Sequence, residues 1–425
     1  MVRSSSKLSL SVNLSKERMD TLTKLLVDDI STIMAGSVRE WLHERGLLLA
    51  QLLMNAEVLE IAGERNQRDS ERYCNRWASQ RGSVYVLEQK VPVQKPRVRT
   101  TGGTSEVKLV SYSKLKDKDF LNEQTTAKLL SGTSTRRFKT TVENLLRGKG
   151  IGRQTISKRG IEEMTRRLEE FQTRSLEGLD ILVVFIDGIW LGDTVYVAAV
   201  GIDATGKKHV LGYESGSTES TEVCRSLISN LIDRKVLSET GGFLLVIDGG
   251  KGLKKAVSEA FGMRVEVQRC AQHKQRNVEK NLPKKIWPEF RQKFASAFNK
   301  PTLKEAEEAF QKLRNELSLR HTKAAISLTE GLPQLLTLHR LGIRGALRKT
   351  LCTTNCIESI FSAARYYTRN VKRWRKEEQM DRWIATGLLE AEKNLRRVSG
   401  YTQLKKLKEA LRNPRKTQRS SNISD

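Results

Sequence analysis

Two stretches of the sequence decide the fold: residues 181–188, ILVVFIDG, and residues 243–249, FLLVIDG. Each is an apolar run of strand length that ends in an Asp-Gly pair, with Asp187 in the first and Asp248 in the second. Continuous apolar runs of this length, rich in Val and Ile, predict strands that are buried on both faces of a sheet. Neighbouring strands would bring both aspartates to one edge of that sheet. For either pair alone, an ordinary turn after a strand is the other interpretation, because Asp and Gly favour turns.

The sequence around these two runs predicts a mixed α/β core. A meander of three antiparallel strands is expected first, and helices alternate with strands after it. The expected strands are 181–186, 194–202, 207–214, 242–247 and 264–267, and the expected helices are 219–237 and 252–261. The next segment, 274–353, has the charged periodic pattern that is typical of helices.

Two converging carboxylates predict a cation site, because their mutual repulsion is unfavourable unless a cation lies between them. Hard oxygen ligands of this kind suit Mg2+ or Mn2+. The best third carboxylate is Glu358, within residues 353–359, TTNCIES. Asn355 and Glu358 also fit a helix N-terminus, where Asn caps the helix and Glu follows three residues later. The two interpretations are compatible.

Cations follow Glu358 along the same predicted helix face, at Arg365, Arg369 and Lys372. Residues 365–376 hold six cations and three aromatic residues, a composition that suits phosphate contacts and stacking on unpaired bases. The alternative is an amphipathic helix whose aromatic residues belong to the core. The candidate DNA contacts in this segment are Arg365, Arg369, Lys372 and Arg373.

Composition supports a polyanionic partner. The 425 residues carry a net charge of +27, whereas residues 180–260 hold 11 acidic and eight basic residues. A basic surface around an acidic island favours nucleic-acid binding, with simple solvated charge as the alternative. Five cysteines in this length argue against a secreted disulfide scaffold, and the longest strongly apolar run is far too short to span a bilayer. We therefore expect a cytoplasmic protein without membrane association.

The amino-terminal part of the chain predicts further DNA-binding structure. Residues 15–62 have a helical pattern, and residues 82–112 alternate in the manner of a β ribbon that carries several cations. A helix around 138–146, a glycine-rich turn and a second helix from Arg153 then suggest a helix-turn-helix. Its second helix would present Arg153, Gln154, Lys158 and Arg159 to a DNA groove. A plain helical hairpin explains the same pattern equally well.

Four motifs in order carry a family resemblance: Asp187-Gly188, Asp248-Gly249, residues 270–273 (CAQH) and TTNCIES. Together they resemble the DDE transposases of the bacterial insertion-sequence branch related to Mutator elements, over about residues 131–394. The resemblance implies a ribonuclease H-like fold interrupted by an α-helical insertion, with Asp187, Asp248 and Glu358 as the metal-binding catalytic triad.

The resemblance also implies a function. Such an enzyme binds the terminal inverted repeats of its element and catalyses DNA cleavage and strand transfer with two metal ions. Its partners are double-stranded DNA, both transposon ends and target, and a second copy of itself in a homodimer or higher oligomer. A metal-dependent nuclease or resolvase of the same fold, and a DNA-binding regulator without catalysis, are the alternatives.

Cys270 and His273 lie next to the active site if the resemblance holds. His273 would then position a phosphate or organise the insertion, and a core histidine is the other interpretation. With Cys352 and Cys356, the same pair has spacings that would also suit Zn2+. Cys356 departs from the family pattern, in which a small residue is more common.

Six regions are expected along the chain. They are an N-terminal helical and β-ribbon region at 1–112, a helix-turn-helix-like region at 113–179, the first part of the core at 180–273, the helical insertion at 274–352, the last part of the core at 353–395 and a basic tail at 396–425. The tail has nine basic and two acidic residues, so we expect it to be solvated or in contact with DNA.

Overall fold

A computed structural model describes residues 38–64, 73–86, 89–102, 105–116, 119–133, 153–374 and 376–412. The chain divides into two compact units, one of residues 1–129 and 133–163 and the other of residues 130–132 and 164–425. The predicted helix around 138–146 and the glycine-rich turn after it lie outside the described residues. The helix-turn-helix prediction can therefore be followed only in its second helix.

The first unit combines helices with a β ribbon, as its sequence pattern predicts. Its elements are α1 (Val38–Ala62), β1 (Cys74–Val86), β2 (Gln89–Thr100), β3 (Glu106–Val107), α2 (Val110–Leu115) and α3 (Asp119–Leu130). The antiparallel pair β1 and β2 confirms the ribbon, which begins earlier than expected, at Cys74. Ala50 and Met54 of α1 pack on the ribbon valines Val84 and Val91, so the apolar alternation of the ribbon provides the core of this unit.

Helix α4 (Arg153–Thr173) begins where the second helix of the pair is predicted. Its buried face runs through Ile156, Met164 and Phe171, which recur at helical spacing. The sequence spacing predicts a buried face of Ile161, Met164, Leu168 and Phe171, and this prediction is wrong at Ile161, which lies on the outward side and is 47% exposed.

A five-stranded mixed sheet forms the centre of the second unit. Its strands are β4 (Ile181–Leu191), β5 (Thr194–Asp203), β6 (Lys208–Gly216), β7 (Leu244–Ile247) and β8 (Glu266–Arg269), and their order is β6-β5-β4-β7-β8. The first three strands are antiparallel, which confirms the predicted meander. β7 pairs in parallel with β4 and with β8. The connecting helices α5 (Thr221–Asp233) and α6 (Lys251–Phe261) lie where they are predicted.

Strand β4 continues beyond Asp187, although the sequence predicts that the strand ends there. It runs on to Leu191 because β5 remains paired with it along its whole length, Asp187 lying opposite Ala198. The parallel pairing with β7 stops earlier, at Ile186 and Ile247. Asp187 therefore lies at the edge of the parallel part of the sheet rather than at the end of its strand.

The sheet is buried on both faces, since the side chains of each strand alternate between two hydrophobic clusters. Val183 and Phe185 of β4 belong to one cluster, and Val184 and Ile186 belong to the other. Helices α5 and α6 close the second cluster, whereas helices from the carboxyl-terminal half of the chain close the first. This double burial explains why the strands are almost continuously apolar.

Helices follow β8 through the rest of the described chain. They are α7 (Ala271–Glu279), α8 (Trp287–Phe298), α9 (Leu303–Ser318), α10 (Thr322–Thr329), α11 (Leu332–Leu335), α12 (Thr337–Arg340), α13 (Gly345–Leu351), α14 (Asn355–Thr368), α15 (Glu377–Lys393) and α16 (Leu404–Arg412), with 3-10 turns at Lys284–Ile286 and Tyr401–Gln403. This confirms the helical character predicted for 274–353. In the described parts of the chain, no helix has the length and apolar character that a membrane crossing requires.

The edge strand β8 is covered by this helical segment. The buried Gln268 side chain donates to the carbonyl of Leu335 at 2.9 Å and accepts from the backbone N–H of Leu338 at 3.1 Å. Thr337 donates to the carbonyl of Val267 at 2.7 Å. These bonds satisfy polar groups that an open sheet edge would expose.

The carboxyl-terminal segment packs on the sheet, which the prediction of a solvated tail does not anticipate. Leu404 and Leu407 of α16 are fully buried in the first hydrophobic cluster, together with Leu411. Val398 donates from its backbone to Gly206 at 3.0 Å. The spacing of the three leucines on a strongly amphipathic helix explains why its lysines can face outward while the helix belongs to the core.

Candidate active site

The strand register brings Asp187 and Asp248 to the same level of the sheet. Ile186 and Ile247 are partners in the parallel pair, and each aspartate follows its isoleucine directly. Adjacent strands lie about 4.8 Å apart, so the two residues begin from neighbouring backbone positions. Asp187 accepts a hydrogen bond from the N–H of Gly188 at 2.9 Å. Asp248 accepts one from the N–H of Gly250 at 2.7 Å, within the turn before α6.

Backbone hydrogen bonds bring the third predicted carboxylate to this edge. The N–H of Cys270 donates to the carbonyl of Ile247 at 2.8 Å, and the next N–H, of Ala271, donates to the carbonyl of Cys352 at 2.8 Å. These two hydrogen bonds connect the start of α7 to the end of β7 and to the segment before α14. Glu358 lies in the first turn of α14, so these hydrogen bonds place it near the edge where the aspartates lie.

Asp187 shows that the three carboxylates share one electrostatic environment. Burial raises the pKa of Asp187 to about 6, against the opposing effect of the Gly188 hydrogen bond. The negative charges of Asp248 and Glu358 contribute to this rise, and His273 acts in the opposite direction. The site is therefore a place where negative charge has accumulated and positive charge is favourable.

Glu219 is a fourth carboxylate at this site, and sequence reasoning missed it. Burial raises its pKa to about 7, with further contributions from Asp248 and Asp187. A Cβ at Gly188 would lie 3.2 Å from Glu219 Oε2, so this carboxylate packs on the backbone next to Asp187. Among the residues that the structure describes, Glu219 Oε1 is buried and has no hydrogen-bond partner.

Cys270 and His273 both approach the Thr354 hydroxyl, which also contacts Glu358. A hydrogen bond with Cys270 raises the pKa of His273 to about 8, and Asp187 and Asp248 contribute in the same direction. Burial raises the pKa of the Cys270 thiol, but hydrogen bonds with His273 outweigh it and lower that pKa overall. His273 is half-buried, and its positive charge lowers the pKa of Asp187.

Helix α14 begins one residue earlier than predicted. Thr354, and not Asn355, occupies the N-cap position, and Asn355 is the first helical residue. The sequence spacing also predicts a buried stripe of Ile357, Ile360, Phe361, Ala364 and Val371; it is confirmed at the first four, whereas Val371 follows the helix and is half-buried. Glu358 is half-buried on the opposite side, and its Oε1 accepts a hydrogen bond from the Thr354 hydroxyl at 2.9 Å.

The four cations after Glu358 are all exposed, but they do not form one helical row. Arg365 lies on α14, and Arg369 is the residue that ends it. Lys372 and Arg373 follow outside the helix. The Arg369 guanidinium lies 3.5 Å from the ring centre of Tyr366, which is itself 55% exposed. This segment presents both charge and an aromatic face to solvent.

The predicted DNA contacts on α4 divide into two groups. Arg153, Gln154 and Lys158 are exposed and, with Ile161, line one surface groove. Arg159 is buried and lies 5.2 Å from the ring centre of Tyr85, so the prediction that it faces a DNA groove is wrong. The reason is its position on the helix, three residues after the buried Ile156.

The donor set at the sheet edge fits Mg2+ or Mn2+. All four carboxylates are hard oxygen donors, and the unpartnered oxygen of Glu219 has a coordination site to offer. Within the described chain, no three His, Cys, Asp or Glu side chains are already close enough to hold one ion. The same finding means that Cys270, His273, Cys352 and Cys356 do not form a ready zinc site, and all five cysteines are buried and unpaired.

Comparison with known proteins identifies the family. The Mutator family of transposases matches residues 18–397, and the chain belongs to this family. The transposase of insertion sequence element IS905 from Lactococcus lactis is 27% identical over 300 residues, which cover 68% of this chain and 73% of that protein. The transposase of ISRM5 from Rhizobium meliloti is 26% identical over 66% of this chain and 70% of its own length. The transposase of IS406 from Burkholderia multivorans is 31% identical over 42% of this chain and 44% of its own.

The protein is therefore a transposase of the insertion-sequence type.

Proposed function

We propose that this transposase binds the terminal inverted repeats of its own insertion sequence and catalyses cleavage and strand transfer of DNA with divalent metal ions. The observation that carries the proposal is the register of Ile186 and Ile247, which sets Asp187 and Asp248 side by side. The backbone bonds of Cys270 and Ala271 add Glu358 to the same edge. Asp187, Asp248 and Glu358 are proposed as the catalytic triad.

The proposed core is of the ribonuclease H type, interrupted by a helical insertion. The support is the sheet order β6-β5-β4-β7-β8, in which an antiparallel meander is followed by two parallel strands. The first acidic residue lies on the central strand, the second follows its parallel neighbour, and the third comes 110 residues later on a helix. Helices α7 to α13 would be the insertion that separates the last two.

The chemistry proceeds in two displacements at phosphorus. Water attacks a phosphodiester at the end of the element, and the bond to the bridging 3′ oxygen breaks to release a 3′-OH. That hydroxyl then attacks a target phosphodiester, forms the new DNA joint and releases a target 3′-OH. Bound Mg2+ or Mn2+ would supply the positive charge that stabilises the attacking and leaving oxygens.

The residues of this chain prepare that site in three ways. Asp187, Asp248 and Glu358 provide the oxygen donors, and their burial and mutual repulsion favour cation binding over the empty state. Thr354 holds one oxygen of Glu358. No side chain has to form a covalent bond with DNA, so we assign no nucleophilic residue.

The DNA path is proposed from the exposed cations. Arg365 and Arg369 follow Glu358 on α14, and Lys372 and Arg373 continue beyond it. Arg153, Gln154 and Lys158 offer a second polar surface on α4. Phosphate contacts of this kind would provide affinity without sequence selectivity. Two transposon ends must be held together for joining to one target, so a homodimer or higher oligomer is proposed for the active complex.

A strand-transfer assay tests the proposal. Precleaved inverted-repeat ends are labelled on the strand that ends in the 3′-OH. They are incubated with the full chain, a plasmid target and Mg2+ or Mn2+. A transposase joins the label to the plasmid, and omission of the divalent ion abolishes joining. Cleavage of uncut ends without any joining of precleaved ends would instead assign a nuclease or resolvase activity. Binding without either reaction would assign a regulator.

A further inference from the structure

Thr354 has an unusual role for a residue at the start of a helix. An N-cap threonine ordinarily turns its hydroxyl toward the first free N–H groups of the helix. Thr354 instead has φ −81° and ψ 9°, and its hydroxyl makes no capping bond to the described first turn of α14. Its backbone carbonyl accepts from the N–H groups of Ile357 and Glu358, both at 3.0 Å. The carbonyl therefore begins the helical hydrogen bonds, whereas the hydroxyl is not used as a cap.

The hydroxyl is used at the proposed active site. Thr354 is 0% exposed, and its Oγ1 lies 2.9 Å from Glu358 Oε1 and 3.4 Å from His273 Nδ1. Cys270 Sγ is also near, at 3.6 Å. A hydroxyl has one proton to donate, and an ionised carboxylate is a stronger acceptor than a sulfur. The Thr354 proton therefore belongs to Glu358.

The direction of the remaining contact follows from that assignment. Once its proton is donated to Glu358, Thr354 Oγ1 can only accept from His273, so Nδ1 of His273 carries a hydrogen. The chain of donors runs from His273 through Thr354 to Glu358. Because His273 is on α7 and Glu358 is on α14, the buried hydroxyl connects the two elements that the backbone bond of Ala271 to Cys352 brings together.

We propose that Thr354 is a positioning residue, which orients the Glu358 carboxylate toward the aspartate pair and is itself oriented by His273. The inference rests on the proposed function, since it concerns the third carboxylate of that site. Outer-shell partners of metal ligands typically change metal affinity or activity by about 10–100-fold when they are removed. Loss of the hydroxyl should therefore affect cation binding as well as cleavage.

The main test compares Thr354→Val, which keeps the shape and removes the hydroxyl, with Thr354→Ser, which keeps the hydroxyl. Thr354→Val should lower end cleavage about tenfold or more. It should also raise the Mn2+ concentration needed for half of the thermal stabilisation by Mn2+, while melting of the metal-free protein and end binding stay close to wild type. Thr354→Ser should recover most of both losses. Thr354→Ala provides a second variant without the hydroxyl and should match Thr354→Val.

A matched control is Thr386→Val on α15. Thr386 is also 0% exposed, but its hydroxyl donates to the carbonyl of Arg382 in its own helix at 2.7 Å. This variant should leave cleavage and the Mn2+ response unchanged. Equal defects in Thr354→Ser and Thr354→Val, or wild-type behaviour of Thr354→Val, would overturn the positioning role.

A double-mutant experiment tests whether His273 acts through Thr354. Asn at this position keeps a donor near the place of Nδ1, whereas Ala has none, so His273→Asn should cleave faster than His273→Ala. In the Thr354→Val background this difference should vanish, because the acceptor is gone. A difference that persists would remove His273 from the chain of donors. Failure of the whole proposed function is distinguishable, since the wild-type protein itself would then join no precleaved ends and show no stabilisation by Mn2+.

Discussion

Ile186 and Ile247 are register partners on adjacent parallel strands, and each is followed directly by an aspartate. The pair lies where the parallel part of the sheet ends, although β4 itself continues as a hairpin with β5. A sheet that is buried on both faces holds this register firmly, because a slip of one residue would exchange the two hydrophobic clusters. The position of the candidate active site is therefore a consequence of core packing.

Replacing Asp187 with Asn should reduce cleavage of inverted-repeat ends by more than about 100-fold and leave end binding largely intact. The amide keeps the shape of the side chain but lacks the charge that attracts a cation. Asp193→Asn, at the exposed turn between β4 and β5, makes the same charge change on the same hairpin and should cleave normally. Gel-shift and cleavage assays on one end fragment measure both effects, and normal cleavage by Asp187→Asn would refute the triad.

Without divalent cations, the site should make the protein less stable as the pH rises. The pKa values of Asp187 and Glu219 are raised to about 6 and about 7, so the folded state binds more protons than the unfolded state below those values. Their contribution to stability is present at low pH and is lost as the pH rises through about 6 to 7. Unfolding in urea with EDTA at pH 5 and pH 8 measures the change.

Glu219→Gln should remove the Glu219 part of this pH dependence. We compare the free energy of unfolding of the variant with that of wild type at each pH. The difference should favour the variant more at pH 8 than at pH 5, by on the order of 1 kcal/mol after allowance for the partial exposure of Glu219. Glu222→Gln, at an exposed position in the first turn of α5, should follow the wild-type curve. If the stability of Glu219→Gln and that of wild type changed equally with pH, Glu219 would not interact with Asp187 and Asp248.

Replacing both Arg365 and Arg369 with Ala should weaken DNA binding most at low salt. If each arginine neutralises one phosphate, the slope of log affinity against log salt should become shallower by about 1.8, since each contact contributes about 0.9. The double Lys variant keeps both charges and should retain most of the slope. An unchanged slope in the Ala variant would exclude these arginines from phosphate contact.

The neighbours Lys158 and Arg159 should behave differently when each is replaced with Ala. Arg159 is buried against Tyr85, so its loss should lower the free energy of unfolding by on the order of 1 kcal/mol through lost packing and cation-π contact. Lys158 is exposed, so its loss should reduce DNA affinity with little change in stability. Weaker DNA binding by Arg159→Ala at unchanged stability would restore Arg159 to the DNA-facing group.

The strands and the order of the carboxylates could be predicted from sequence because the signals are local. An apolar run before Asp187 or Asp248 marks both the strand and the residue that follows it. Glu219 has no such signal: it precedes Ser220, the cap of α5, and looks like an ordinary acidic residue near a helix start. Its place against Gly188 depends on how α5 packs on the sheet, which no local pattern contains.

Unlike the position of Glu219, the burial of Arg159 is indicated by the local sequence pattern. Ile156, Met164 and Phe171 define a face at helical spacing, and Arg159 falls on that face. The sequence interpretation places Arg159 on the outer surface with Arg153 and Lys158 because of its charge, although its position favours the buried face. For Thr354 the sequence shows only a threonine before a helix. The contact of its hydroxyl with His273 depends on the packing of another helix, which no local pattern contains.

The burial of α16 bears on how the protein is synthesised. Leu404, Leu407 and Leu411 belong to the same hydrophobic cluster as Phe185 and Val183, the residues that lead to Asp187. A nascent chain cannot close this cluster until the ribosome has delivered Leu411, although all the proposed catalytic residues have emerged much earlier. A polypeptide that is terminated prematurely after Glu358 would carry the whole triad and still lack the packing that holds its first strand.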